Sequence, residues 1–160
     1  MTRYIVSGDD VYLVTVSPID RKFFSDDIFM LIDGRLNILN VELSRLHGSH
    51  TTNLHVLSQI EDIIAETFLS NKDAVLCFYC DFISPIPSSR KPISPQLYRS
   101  LLFLNMFDRY KRRYQIHGVD SQVISIKGID ETYYIHLIYW ERHAKDVELI
   151  TKDITDGYSK

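Results

Sequence analysis

Apolar and polar positions along the chain change period several times, and each change marks an element. Residues 3–6 and 11–17 are rich in β-branched and aromatic side chains, and Ser7, Gly8, Asp9 and Asp10 between them supply turn chemistry. The chain is therefore expected to open with a hairpin. Pro18 ends the pairing, and a polar loop from Asp20 to Asp27 carries the pair Phe23 and Phe24. Ile28 to Ile32 is an apolar run, Asp33-Gly34 suits a type I′ turn, and Arg35 to Leu43 returns. In the return, Leu39, Val41 and Leu43 alternate with Asn40 and Glu42, the pattern of a strand with one wet face. A second hairpin and a four-stranded antiparallel beginning follow from this reading.

Residues 44–52 read as a loop. From Asn53 to Leu69 the period becomes helical, with Val56, Leu57, Ile60, Ile63, Ile64 and Phe68 on one face. Gln59, Glu61, Asp62 and Glu66 fall on the other, and Thr51, Thr52 or Asn53 can cap the start. Residues 74–80, AVLCFYC, are apolar almost without interruption, which predicts a central strand buried on both faces. The loop after it, residues 82–95, holds Pro85, Pro87, Pro92 and Pro95, and prolines stiffen a loop by fixing φ. Ser94-Pro95 is a helix start, and the helix should run to about Tyr114. Phe103, Phe107, Tyr110 and Tyr114 form its apolar stripe, with Asn105, Asp108, Arg109 and Arg112 opposite.

His117-Gly118 is a stop, and strands are expected over Val123–Lys127 and Thr132–Arg142, with a turn at Gly128 to Asp130. Residues 144–160 form a polar C-terminal extension with three alternatives: an edge strand, a short helix or a frayed tail. The whole predicts a single α+β domain over residues 1–143. Its sheet is mixed and mostly antiparallel, of about seven strands in the order ββββαβαββ, with two packed helices.

Composition agrees with one ordered domain. The 160 residues are 45% hydrophobic and 24% charged, which excludes an intrinsically disordered chain. A net charge of −3 speaks against nucleic acid as a partner, since such domains usually carry an overall basic excess. The first residues, MTRYIVSGDD, lack the apolar run of a secretory signal, and no stretch approaches the ~20 apolar residues of a membrane span. Cys77 and Cys80, three apart on one strand, point to opposite faces and suit neither a disulfide nor a metal knuckle. A cytoplasmic protein with reduced thiols, away from membranes, is the expectation.

Candidate chemistry is sparse. His47, His50 and His55 form the densest group of potential metal ligands, but their spacing matches no helical pair and no carboxylate is interleaved, so a polar loop explains them and no metal is expected. Asp81 follows the carboxyl end of the central strand, where Ser88, Ser89, Arg90 and Lys91 could meet an anion. No glycine is present there, which excludes a P-loop. His136 shares a strand face with Tyr134, Ile138 and Trp140; it could serve as a general base, although a satisfied half-buried histidine is the default. Arg99, Arg109, Lys111, Arg112 and Arg113 gather on the helix after the proline loop, too few for an extended nucleic-acid patch.

VLCFYCD (Val75 to Asp81), Arg90 and YRSLLFLNMF (Tyr98 to Phe107) together resemble a family of short, uncharacterised bacterial domains. The chain departs from that family in its long proline loop after Asp81. The resemblance implies a fold and a prokaryotic origin and brings no activity. A long strand, a helix, a strand, a helix and a final hairpin are also similar in order to the second half of the acetyltransferase fold. Members of that fold cradle the pyrophosphate of acyl-CoA at the start of the helix after the long strand, through Arg/Gln-x-x-Gly-x-Gly/Ala. Here Arg45 and Gly48 match the first half of that motif, and His50 stands where Gly or Ala belongs.

Two expectations result. The first is a non-enzymatic protein-binding module of immunity, antitoxin or defence-associated type, without a cofactor, whose partner surface includes Arg90, Lys91, Arg109 and Arg112. A homodimer through an aromatic strip around Tyr134 and Trp140 is compatible with it. The alternative is an acyl-CoA-dependent N-acyltransferase-like enzyme. It would set Arg45, Gly48 and Ser49 against the pyrophosphate and His136 or Tyr139 near the acyl group.

Overall fold

A computed structural model describes residues 1–50, 52–80 and 93–158. Strands β1 (Thr2–Ser7) and β2 (Asp10–Pro18) form the expected hairpin, turning at Gly8 with φ +60. β2 pairs antiparallel with the long strand β3 (Asn37–His47). Helix α2 (Leu54–Leu69) then carries the chain to β4 (Ala74–Cys80), which lies parallel to β3. Helix α3 (Pro95–Tyr114) leads to the hairpin of β5 (Val119–Lys127) and β6 (Thr132–Trp140), and β6 pairs antiparallel with β4. A short helix α1 (Ile28–Leu31) precedes β3, and α4 (Ala144–Tyr158) ends the described chain. The described residues form one six-stranded mixed sheet in the order β1-β2-β3-β4-β6-β5 with four α-helices, an α+β fold.

The caps are those the residues dictate. Asn53 accepts a hydrogen bond from the Val56 backbone N–H at 2.9 Å to start α2. Ser94 accepts from Leu97 N–H at 3.3 Å, with Pro95 in the first turn, to start α3. α3 ends where Gln115 takes the left-handed conformation at φ 50, and Gly118 does the same at φ 72.

β4 runs through the middle. Val75 and Cys77 enter a core with Ile135, Leu137, Ile150 and Ile154, on the side of α1 and α4. Leu76 and Phe78 enter the opposite core with Phe68, packed against Phe103 and Phe107 on the side of α2 and α3. That two-sided burial is why its sequence lacks polar alternation.

Three expectations are corrected. The second hairpin does not form. Ile28 and Ile32, four residues apart, both bury their side chains, and Ile32 N–H donates to Ile28 C=O at 3.1 Å, so this run turns helically. A type I′ turn needs positive φ at both central residues, and neither Asp33 nor Gly34 has it. Instead the Asp33 carboxylate accepts from Arg35 N–H at 2.9 Å and from the Arg35 guanidinium, while Leu36 N–H donates to Asp33 C=O. The hydrogen bonds from Arg35 hold the Asp33 carboxyl down at about 2.

Residues 44–47 are not loop. They continue β3 beside β2, with Ser44 opposite Leu13 and Arg45 opposite Tyr12, and a register irregularity between Val11 and Tyr12. Glu61 does not lie on a polar face of α2; it is buried. Fewer strands and more helices than expected result, because α1 replaces one strand and residues 144–158 take the helical alternative.

The reason for α4 is local. Val147, Ile150 and Ile154 stand at helical spacing and are buried on the sheet, while the positions between are polar apart from the exposed Leu149. Its N-terminus is clasped to the rest. Asp146 accepts from Asp33 N–H at 3.0 Å, and Arg142 reaches the Asp73 carboxylate at 3.1 Å. Ile150→Ala should therefore cost about 2–5 kcal/mol of stability in urea unfolding, as for a core isoleucine. A loss under ~0.5 kcal/mol would mean that α4 is a loosely attached tail.

Candidate functional site

The residues that suggested chemistry fall in three places. Asp81, Ser88, Ser89, Arg90 and Lys91 lie outside the described residues.

The first place is the connection from β3 to α2. The Arg45 guanidinium donates to Tyr12 Oη at 3.0 Å and to Thr52 Oγ1 at 2.8 Å, and it lies 5.1 Å from the centre of the Tyr12 ring. Gly48 adopts φ +93 so close to Asp10 that an added Cβ would stand 1.8 Å from Asp10 Oδ1. Only glycine fits that contact. The His50 backbone N–H donates to Asp10 Oδ1 at 3.3 Å, and the His50 ring Nδ1 is 3.1 Å from Asp10 Oδ2. Ser49 is exposed beside them. The His50 donors thus already face the buried carboxylate of Asp10, and the Arg45 guanidinium is held by Tyr12 and Thr52.

His47 and His55 are exposed. Among the described residues no three His, Cys, Asp or Glu side chains converge closely enough to hold a metal ion. No helix among them is long and apolar enough to cross a membrane.

The second place is the interface of α3 with β6. His136 is 3% exposed and shares a 2.8 Å hydrogen bond between its Nε2 and Ser100 Oγ. Burial pulls the imidazole pKa down to about 4, so the ring is neutral at physiological pH. One turn earlier on α3, Gln96 is also buried and its Nε2 donates to the Glu131 carboxylate. Ser100 and Gln96 are the residues that sequence reasoning passed over. Their signal was visible, since polar residues at 96 and 100 continue the stripe of Phe103 and Phe107. A serine hydroxyl against a neutral imidazole is the pair used in nucleophilic catalysis, but both side chains are sealed from solvent. As placed, they satisfy each other in the core. Tyr139 lies on the opposite face of β6, in the core under α4, and burial raises its pKa.

The third place is the basic end of α3. Arg109 donates to the Glu61 carboxylate, an ion pair whose acidic member is buried. Desolvation raises the Glu61 pKa, against the lowering effect of Arg109. Arg113 donates to Ser58 Oγ at 3.1 Å, and Lys111 Nζ donates to Val119 C=O at 2.6 Å. These groups fasten α3 to α2 and to β5. Arg112 is exposed, and its Nε donates to the Asp108 carbonyl at 3.2 Å.

Two features of the sheet complete the picture. The parallel ladder between β3 and β4 ends at Val41 and Phe78, although β3 continues to His47 and β4 to Cys80. The strands therefore part toward their carboxyl ends. Cys77 and Cys80 are buried and form no disulfide, and burial pushes the Cys77 thiol up to about 12, where it is no nucleophile.

No protein-family model matches the chain, and a search of curated proteins finds none similar to it.

Two measurements check these assignments. His136 binds its proton less readily in the folded chain, at about 4, than in the unfolded chain, near 6.5. Its contribution is complete above the unfolded value, and the protein should lose stability as pH falls from there toward 4. Urea midpoints across that range should show the slope, and His136→Gln should flatten it. Arg109→Ala leaves a buried carboxylate without its partner. It should destabilise by about 1–3 kcal/mol, less than a fully buried pair because Arg109 reaches the surface.

Proposed function

We propose that the chain is a non-enzymatic protein-binding module and that its partner docks on the face of β1 and β2 opposite α2. One observation carries this reading: Tyr4 and Val6 are 66% and 68% exposed on that face. Ile5, Tyr12 and Val14 point into the core under α2, so Tyr4, Val6, Val11 and Leu13 point the other way. Tyr4 stands opposite Leu13 and Val6 opposite Val11, which makes a contiguous apolar patch across two strands. α4 packs on β5 and β6, toward the far edge of the sheet. Exposed apolar patches of this kind mark association surfaces.

Internal commitments support the non-enzymatic part. Asp10 and His50 bond each other, Arg45 bonds Tyr12 and Thr52, and Ser100 and His136 are closed in the core. Of the basic residues proposed at the partner surface, Arg109 serves the ion pair with Glu61, and Arg112 is the exposed member among the described ones. Arg112 stands on α3, on the α2 side of the sheet, so it would attract an acidic partner at long range and not contact it on this face; Arg90 and Lys91 remain proposed partner residues outside the described ones. A neutraliser of a toxin or defence enzyme works by such contact alone.

The test is native mass spectrometry of the protein purified gently from its host, beside a Tyr4→Glu, Val6→Glu double variant. Both positions are exposed, so the variant should keep its melting temperature and lose a stoichiometric second polypeptide. A partner retained by the folded double variant sinks the assignment of this face.

The parting of β3 and β4 favours a second reading, an acyl-CoA-dependent enzyme with an altered cofactor loop. Ligands of open sheets often bind in the crevice outside the carboxyl ends of such strands. Arg45, Gly48 and Ser49 would then meet the pyrophosphate only after Asp10 gave way. A CoA thioester should raise the melting temperature, and more so in Asp10→Asn. An unmoved melting temperature in both proteins removes this reading.

A further inference from the structure

We infer that the cleft between the first turn of α3 and the turn joining β5 to β6 is a binding site for a primary ammonium group. The cleft measures about 440 Å3, within the range of roughly 300–1,000 Å3 typical of small-molecule sites. Gln96, Lys127, Asp130, Glu131 and Tyr134 are among its walls.

Gln96 decides what is missing. Its side chain is 0% exposed, its Nε2 donates to the Glu131 carboxylate, and its Oε1 is buried with no donor among the described residues. Turning the amide over would set its oxygen against the carboxylate, so Glu131 holds the orientation. A buried acceptor without a donor is costly and calls for an occupant. The occupant must therefore donate.

The other walls agree on its charge. Asp130 and Glu131 supply two carboxylates and Tyr134 an aromatic ring, against one cation among the described residues, Lys127. An ammonium carries three N–H donors on one compact charge; it can bond the Glu131 carboxylate directly, and the buried Gln96 carbonyl once that side chain turns into the cleft. The turn that presents these acids is fixed. Gly128 N–H donates to Glu131 C=O at 2.7 Å, and a Cβ on Gly128 would stand 2.8 Å from the Tyr133 ring. The site lies beside β5 and β6, at the opposite edge of the sheet from β1. It is independent of the docking face proposed above, and either can fail alone.

The ammonium has two possible sources, a free amine or a lysine side chain of a polypeptide. The test uses the full chain labelled with nitrogen-15. It is titrated separately with n-butylammonium, with neutral n-butanol, and with an N-acetylated, C-amidated peptide containing one lysine. Butylammonium should move the Gln96 side-chain amide and the backbone amides of residues 127–132 saturably, and butanol should not. Glu131→Gln keeps an acceptor for Gln96 while removing the charge, and should weaken binding by about tenfold or more. Lys127→Met should tighten it by removing a like charge. Tighter binding of the peptide than of butylammonium assigns a polypeptide source, and the reverse assigns a free amine. The inference is overturned by a lack of saturation with both amines, by an equal response to butanol, or by unchanged affinity in folded Glu131→Gln.

Discussion

Burial of β4 on both faces is the constraint on which the remaining structure depends. A strand with Val75 and Cys77 on one side and Leu76 and Phe78 on the other must be covered twice. α2 and α3 cover one side, and α1 and α4 cover the other. The parallel pairing with β3 forces the α2 crossover, because parallel neighbours cannot be joined by a tight turn. The antiparallel pairing with β6 then places the final hairpin at the sheet edge and brings α4 back across the second face.

Polar groups within this frame are arranged in pairs that hold elements together. Glu61 with Arg109 joins α2 to α3, Ser100 with His136 joins α3 to β6, and Asp10 with the backbone and ring of His50 joins the start of β2 to the entry of α2. Each pair contains residue types that catalysis also uses. In each, burial makes mutual satisfaction the condition for folding, since a lone buried polar group is costly. Gln96 Oε1 departs from this rule, and Gln59 Oε1 and Thr151 Oγ1 are the others without a partner among the described residues. Only the Gln96 side chain is both fully buried and on the wall of a cleft with carboxylates opposite.

The long, strongly periodic segments were legible before any coordinates. Helices α2 and α3, their caps at Asn53 and Ser94, the central position of β4 and both outer hairpins follow from spacing and capping chemistry. The short run from Ile28 to Leu31 was not. Four or five apolar residues have no period to measure, and an Asp-Gly pair after them signals a hairpin only if the chain can reach positive φ there. The continuation of β3 through Ser44 and Arg45 was hidden for a related reason, because beside β2 its outward positions carry polar side chains. The candidate cleft was legible only in part: Gln96 and Ser100 interrupted an apolar stripe, but nothing local placed Glu131 against Gln96.

By itself the sequence determined the class of the fold, the alternation of β4 between two cores and the starts of its main helices. These depend on periodicity and on hydrogen bonds within a few residues. Only the tertiary structure decided that β3 lies beside β2 and β4, that α4 covers the sheet, and that Arg109 pairs with Glu61. It alone brought Ser100 to His136 and Gln96 to Glu131. Such pairings join residues far apart in the chain, and they form because buried donors and acceptors must find partners wherever packing brings them together.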